Sequence, residues 1–139
     1  MLRKKTAKAK IKDRINEYCY HELKKVEVRP KVGLFNFKCF YNACEYASKN
    51  KGCEVILGIY IDKASSTPNL HFWCRDKNGN DLEVSMGYLS SEYNYYEIKV
   101  VKISDYNIIN GVFSDAMDYY REKLTTPWER FLIGKDRVL

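Results

Sequence analysis

No apolar run in this chain approaches the roughly 20 residues that a membrane-spanning helix needs, so no membrane span is expected. The basic start "MLRKKTAKAK" has no apolar stretch behind it, which excludes a secretory signal of the ordinary pattern. None of the five cysteines stands in a C-x-x-C or similar spacing, so neither a metal nor any other cofactor is expected. An odd number of thiols without an export signal reads as reduced cysteines and points to the cytoplasm. Internal repeats are lacking, as is low complexity beyond the lysine-rich start. Histidine is scarce: the chain has two, and only His71 lies in its body.

What is there describes a folded globule. A hydrophobic fraction of 45% and twelve tyrosines argue against a disordered tail. The 139 residues are read as one domain, 1–139. The net charge of +6 is local: residues 1–25 hold nine Lys and Arg against three Asp and Glu, and the rest is neutral. A neutral body disfavours a general nucleic-acid surface. It leaves residues 1–25 as the place where an acidic protein or nucleic acid would dock, beside the blander reading of a packed helix with solvated lysines.

Periodicity divides the chain. Ile11, Ile15, Tyr18, Cys19 and Leu23 recur at helical spacing over about 6–25, opposite a basic face. "VEVRPKVG" reads as a connection, with Pro30 and Gly33 as breakers. A second helix is expected from an Asn36 N-cap to about Lys49, with Cys39 in its first turn. The period then changes to two. "EVILGIYID" (54–62) suits burial on both faces, "LHFWCRD" (70–76) and "DLEVSMGY" (81–88) flank "KNGN" as a hairpin, and "YYEIKVVKI" (95–103) is a fourth strand. Helical spacing returns over 107–124, and a last short helix has Pro127 at its first position. Hairpin-linked strands with flanking helices predict an α+β domain: an antiparallel sheet of about four strands, packed by the Cys39 helix and a C-terminal helix, with helices over 107–139.

The chemistry lies in one cysteine and one histidine. A thiol in the first turn of a helix meets the positive end of the macrodipole and unpaired N–H groups, which favour the thiolate. Cys44, about 140° further round the helix, cannot share that face. A nucleophilic thiol needs a base, and an imidazole needs a third group to orient it. After His71 the next strand offers Asp81, Glu83 and Ser85 on one face. A three-residue Asn78–Asn80 loop sets Arg75 opposite Glu83, on the His71 face; a two-residue loop pairs Arg75 with Leu82 and turns Glu83 away. Both registers fit the residues.

The order of "CFYNA" (39–43), "GIYI" (58–61), "HFW" (71–73), "NGNDLEVS" (78–85) and "YY" (95–96) resembles the papain-like thiol hydrolases. Among these, the transglutaminase-like and NlpC-like branches come closest in chain order. The run is also similar to small bacterial and phage proteins with Cys, then His-x-Trp, then Asp-x-Thr. The resemblance covers about 36–103. It implies a papain-like core and a cysteine-dependent hydrolase or acyltransferase acting on a peptide or other acyl substrate. Cys39 would be the nucleophile, His71 the general base and Glu83 the orienting acid, with Glu83-Val84-Ser85 in place of Asp-x-Thr and Asp81 as a substitute. Asn36, Asn42 and Trp73 are expected to line the substrate site. Size and the lysine-, asparagine- and tyrosine-rich composition fit a phage accessory protein working in a host cytoplasm.

Each residue also has a plainer reading. Cys39 alone suits a buried small hydrophobe, His71 a satisfied strand histidine, and Glu83 a cross-strand partner of Arg75. The alternative function is a non-catalytic binding protein on the same scaffold, docked through the basic helix.

Overall fold

Nine residues of alternating outlook, Glu54–Asp62, form a central strand. Val55, Leu57, Ile59 and Ile61 join one apolar core, while Ile56 joins a second on the opposite face. In the computed structural model, which describes residues 2–31 and 38–139, this strand is β3. The chain runs α1 (Leu2–Glu22), β1 (Lys24–Val26), β2 (Val28–Pro30), α2 (Cys39–Lys49), β3 (Glu54–Asp62), β4 (Pro68–Arg75), β5 (Asp81–Glu83) and β6 (Tyr93–Val101). It ends with α3 (Ile109–Leu124) and α4 (Pro127–Ile133), and single 3-10 segments cover Gly87–Glu92 and Ile103–Ile108.

The domain is α+β, but the sheet is not the expected four antiparallel strands. It has six, in the order β1-β6-β3-β4-β5-β2, and the β2–β5 pair is parallel. The two additional strands come from residues 24–30, read from sequence as helix end and connection. Three-residue strands are too short to show a period, and Pro30 is tolerated because β2 is an edge. Only Glu27 separates β1 from β2, yet they occupy opposite edges of the sheet. The sheet must therefore curl until its edges approach. Val26 and Val28, one from each edge, both pack on the inner cluster of Ile56, Trp73 and Tyr95.

The outer face carries the larger core. Phe72, Cys74, Val84 and Tyr96 meet Ile11, Ile15 and Cys19 of α1, Ala43 of α2 and Tyr120 of α3. Full burial of a ring such as Phe72 stabilises by about 1.5–3 kcal/mol. Inside the curl, Gly58 makes room for Trp73: a Cβ there would overlap the indole and the Tyr96 carbonyl. At the same point β6 carries a bulge, with Ile98 lacking a partner between Lys99 and Glu97.

Other boundaries also shift. Helix α1 starts near the N-terminus and stops at Glu22, so Lys24 and Lys25 lie in a strand. The N-cap position of α2 is held by Lys38, without a side-chain cap; Asn36, the expected cap, lies outside the described residues. The β4–β5 hairpin follows neither of the two registers: Arg75 pairs with Asp81. Its loop is built on Asp76, whose carboxylate accepts the N–H groups of Asn78 and Asn80, with Gly79 at φ +82°. Strand β5 ends at Glu83 because the Glu83 carboxylate accepts the next free N–H groups, those of Ser85 and Met86. At the C-terminus, Pro127 opens α4 and Thr126 with Glu129 forms a capping box, as the residue types dictate.

Candidate functional site

Strand alternation sends His71 and Trp73 to the inner face of β4 and Phe72 to the outer face. Helix α2 packs on that outer face: the Phe40 and Phe72 rings meet edge to face at 6.4 Å, and the Cys74 thiol donates to the Ala43 carbonyl at 3.3 Å. This docking brings the first residue of α2 to the strand. There the Cys39 sulfur comes under the influence of both the His71 side chain and the backbone N–H of Phe72.

Behind the imidazole stands Glu83. His71 Nε2 donates to Glu83 Oε1 at 2.7 Å, leaving Nδ1 as the ring nitrogen for the thiol. The even offset of the Arg75–Asp81 pairing, six residues, is what keeps Glu83 on the His71 face. Glu83 is 0% exposed and fully satisfied: Tyr95 Oη donates to Oε1 at 2.6 Å, and Ser85 N–H to Oε2 at 3.0 Å. Tyr60 stacks flat on the imidazole at 4.3 Å and 9°, and Tyr93 stacks on Tyr60 in turn. A cationic ring lying flat on a tyrosine face gains electrostatic support.

The charges follow from these contacts. Burial works against an imidazolium at His71, but the Glu83 carboxylate and the bonds to Cys39 and Glu83 outweigh it and push the pKa up to about 10. Burial likewise works against a Glu83 carboxylate, and the charge of His71 with the donated hydrogen bonds brings it below its usual range. For Cys39 burial favours the thiol, yet the bond and charge of His71 with the Phe72 N–H turn the net direction downward. Both shifts act in the same sense, toward a thiolate on Cys39 and an imidazolium on His71. The other four cysteines go the opposite way. Burial pushes Cys19 up to about 12 and raises Cys44, Cys53 and Cys74 as well. One thiol of five is activated.

The remaining sequence candidates are placed differently. Trp73 is wholly buried inside the curl beside His71, so it packs the imidazole's surroundings and meets no external ligand. Asn42 is 6% exposed and donates to Ser85 Oγ at 3.0 Å, bracing α2 against the stretch after β5 instead of lining a cleft. Asp81 is engaged by Arg75 at 2.6 Å and is not a substitute for Glu83. Arg75 also pairs with Glu97, so the plain reading of Glu83 as its cross-strand partner fails too. Asn36 lies outside the described residues. Sequence reasoning missed Tyr60, Tyr95 and the Phe72 N–H. Tyr60 and Tyr95 stood in the quoted pieces "GIYI" and "YY" but were given no role, because strand parity has no meaning until the register is known.

Among the described residues no group of three or more His, Cys, Asp and Glu side chains is arranged to hold a metal ion. No helix among them is long and apolar enough to cross a membrane. What the fold and site define is an α+β domain with a curled mixed sheet, in which a half-buried cysteine at a helix N-terminus meets a buried His71–Glu83 pair. Comparison with protein-family models, curated proteins and solved structures gives no match.

Proposed function

We propose that this chain is a cysteine-dependent hydrolase or acyltransferase acting on an amide, peptide or isopeptide bond, in the manner of the papain-like enzymes it resembles. The observation that carries the reading is the convergence of Cys39 on His71, whose imidazole is held by the buried Glu83 carboxylate. In this mechanism the Cys39 thiolate attacks the substrate carbonyl carbon and the C–N bond breaks through a tetrahedral oxyanion. The His71 imidazolium gives its Nδ1 proton to the departing amine. The neutral ring then takes a proton from water, or from an acceptor amine, as that nucleophile attacks the thioester and returns the sulfur. The Cys39 backbone N–H, at the start of α2 where the helix supplies no acceptor, faces the developing oxyanion. Glu83 stays ionised throughout and holds the imidazole by Nε2. Reduced-thiol chemistry of this kind implies a cytoplasmic setting, a host's if the chain is phage-encoded.

Mapping iodoacetamide adducts near pH 6 tests the reading. Alkylation concentrated on Cys39, and lost in a folded His71→Ala variant, supports it. Equal labelling of the five thiols, or none, overturns it and leaves the alternative of a non-catalytic binding protein.

A further inference from the structure

Helices α1 and α4 lie side by side, and between them is a hollow of about 520 Å³. Its floor is settled: Arg14 grips Glu129 through both carboxylate oxygens, at 2.7 and 3.0 Å. Its walls are apolar, from Leu2, Ala7, Trp128 and Leu132. The rim is unusual. Trp128 and Phe131 stack on each other at 5.5 Å yet stand 56% and 74% exposed, and Leu2 is 79% exposed. Contiguous exposed apolar surface of this kind on a small domain marks an interaction site.

The charges around the hollow select the occupant. Of the α1 cations, Lys4 and Lys8 are spent on Asp136, and Arg14 on Glu129. Arg3 and Lys10, which line the hollow, make no ion pair among the described residues. They lie seven positions apart on one face of α1, so roughly 10 Å separates them along the helix axis. We infer that this groove binds an acidic segment of a partner protein, with an apolar side chain seated in the hollow and two carboxylates about two helical turns apart meeting Arg3 and Lys10. A second copy of the chain would bring two basic rims together. A bilayer surface would touch the ring pair and leave the recess empty. A nucleic-acid strand would stack on the outer ring faces and leave the apolar recess empty. The groove uses none of the residues of the thiol site, so the two proposals stand or fall separately.

Selection of a random peptide library on the immobilised chain, with depletion on an Arg3→Glu/Lys10→Glu variant, tests the inference. Trp128 is a built-in reporter, since the other tryptophan, Trp73, is wholly buried. The expected peptides carry an apolar anchor between spaced carboxylates, shift the Trp128 emission to the blue, and lose affinity about tenfold from low to high salt. The milder Lys10→Ala variant weakens them if the double variant does not fold. Enrichment without acidic residues, no difference between wild type and variants, or a Trp128 response only to anionic vesicles, an oligothymidine strand or self-association overturns it.

Discussion

His71 and Tyr95 share one oxygen. The Nε2 of the first and the hydroxyl of the second both donate to Glu83 Oε1, at 2.7 and 2.6 Å. A carboxylate oxygen that accepts two donors gives less of its charge to either. The hydroxyl therefore moderates how strongly Glu83 holds the imidazolium, and through it how strongly the imidazolium holds the Cys39 thiolate.

Tyr95→Phe removes that second donor without changing the ring. The expected result is a Cys39 alkylation profile displaced to lower pH, with a stability loss of about 1.5–3 kcal/mol, since the lost bond is to a buried carboxylate. Rates of iodoacetamide reaction at Cys39 across pH 4–9, followed by mass spectrometry, read the displacement. A profile that overlays the wild type would reduce Tyr95 to packing.

Glu83→Gln takes from the His71 imidazolium its buried carboxylate counter-charge, at a cost of about 3–5 kcal/mol and a melting temperature lower by on the order of 10 °C. The pH dependence has a definite sign. The raised His71 contributes stability that is complete below its ordinary value of 6.5 and lost as pH climbs through about 10. The lowered Glu83 contributes stability present above 4.5 and lost in acid. The gap between wild type and variant is thus widest at pH 4.5–6.5 and narrows on both sides, measurable by urea titration at each pH. A gap constant with pH contradicts the pairing.

Gly58→Ala forces a methyl group into the Trp73 indole and the Tyr96 carbonyl. Backbone cannot yield as a side-chain tip would, so the loss is on the order of 3 kcal/mol. Scanning calorimetry measures it, and a red-shifted Trp73 emission in a Trp128→Phe background reports the displaced ring. An unchanged emission would mean that the inner cluster is looser than its packing indicates.

Glu129 is held at a pKa of about 2 by the hydrogen bond from Arg14, against burial, with the Thr126 backbone and the Arg14 charge adding to it. A depressed carboxylate contributes stability present above its ordinary 4.5 and lost as pH falls toward 2. Glu129→Gln should therefore be less stable than wild type at pH 6 by roughly 1.5–3 kcal/mol and nearly equal to it at pH 2. Circular dichroism melts at the two pH values decide the matter.

Much of the architecture was legible before any coordinates. The boundaries of β3 coincide with the continuous apolar run at 54–62, read as buried on both faces, and Pro127 marks the first residue of α4. Strands β1 and β2 were not legible, because three residues carry no period and their pairing depends on the far edge of the sheet. The end of β5 was hidden for a different reason. Only once Glu83 turns back to accept the Ser85 and Met86 N–H groups does the ladder lose its donors.

By itself the sequence determined which groups this protein has to work with: one thiol leading a helix, one histidine in a strand, an acid on the strand after it, and a cationic first helix. Local rules sufficed there, since helix ends and strand parity depend on near neighbours. Tertiary structure alone decided their convergence, the partners that moderate them and the solvent they have lost. Those depend on register across strands and on the curl that brings Val26 and Val28 to a single core. A register shift by one residue would point Glu83 to the opposite face of the sheet with no change in composition or pattern.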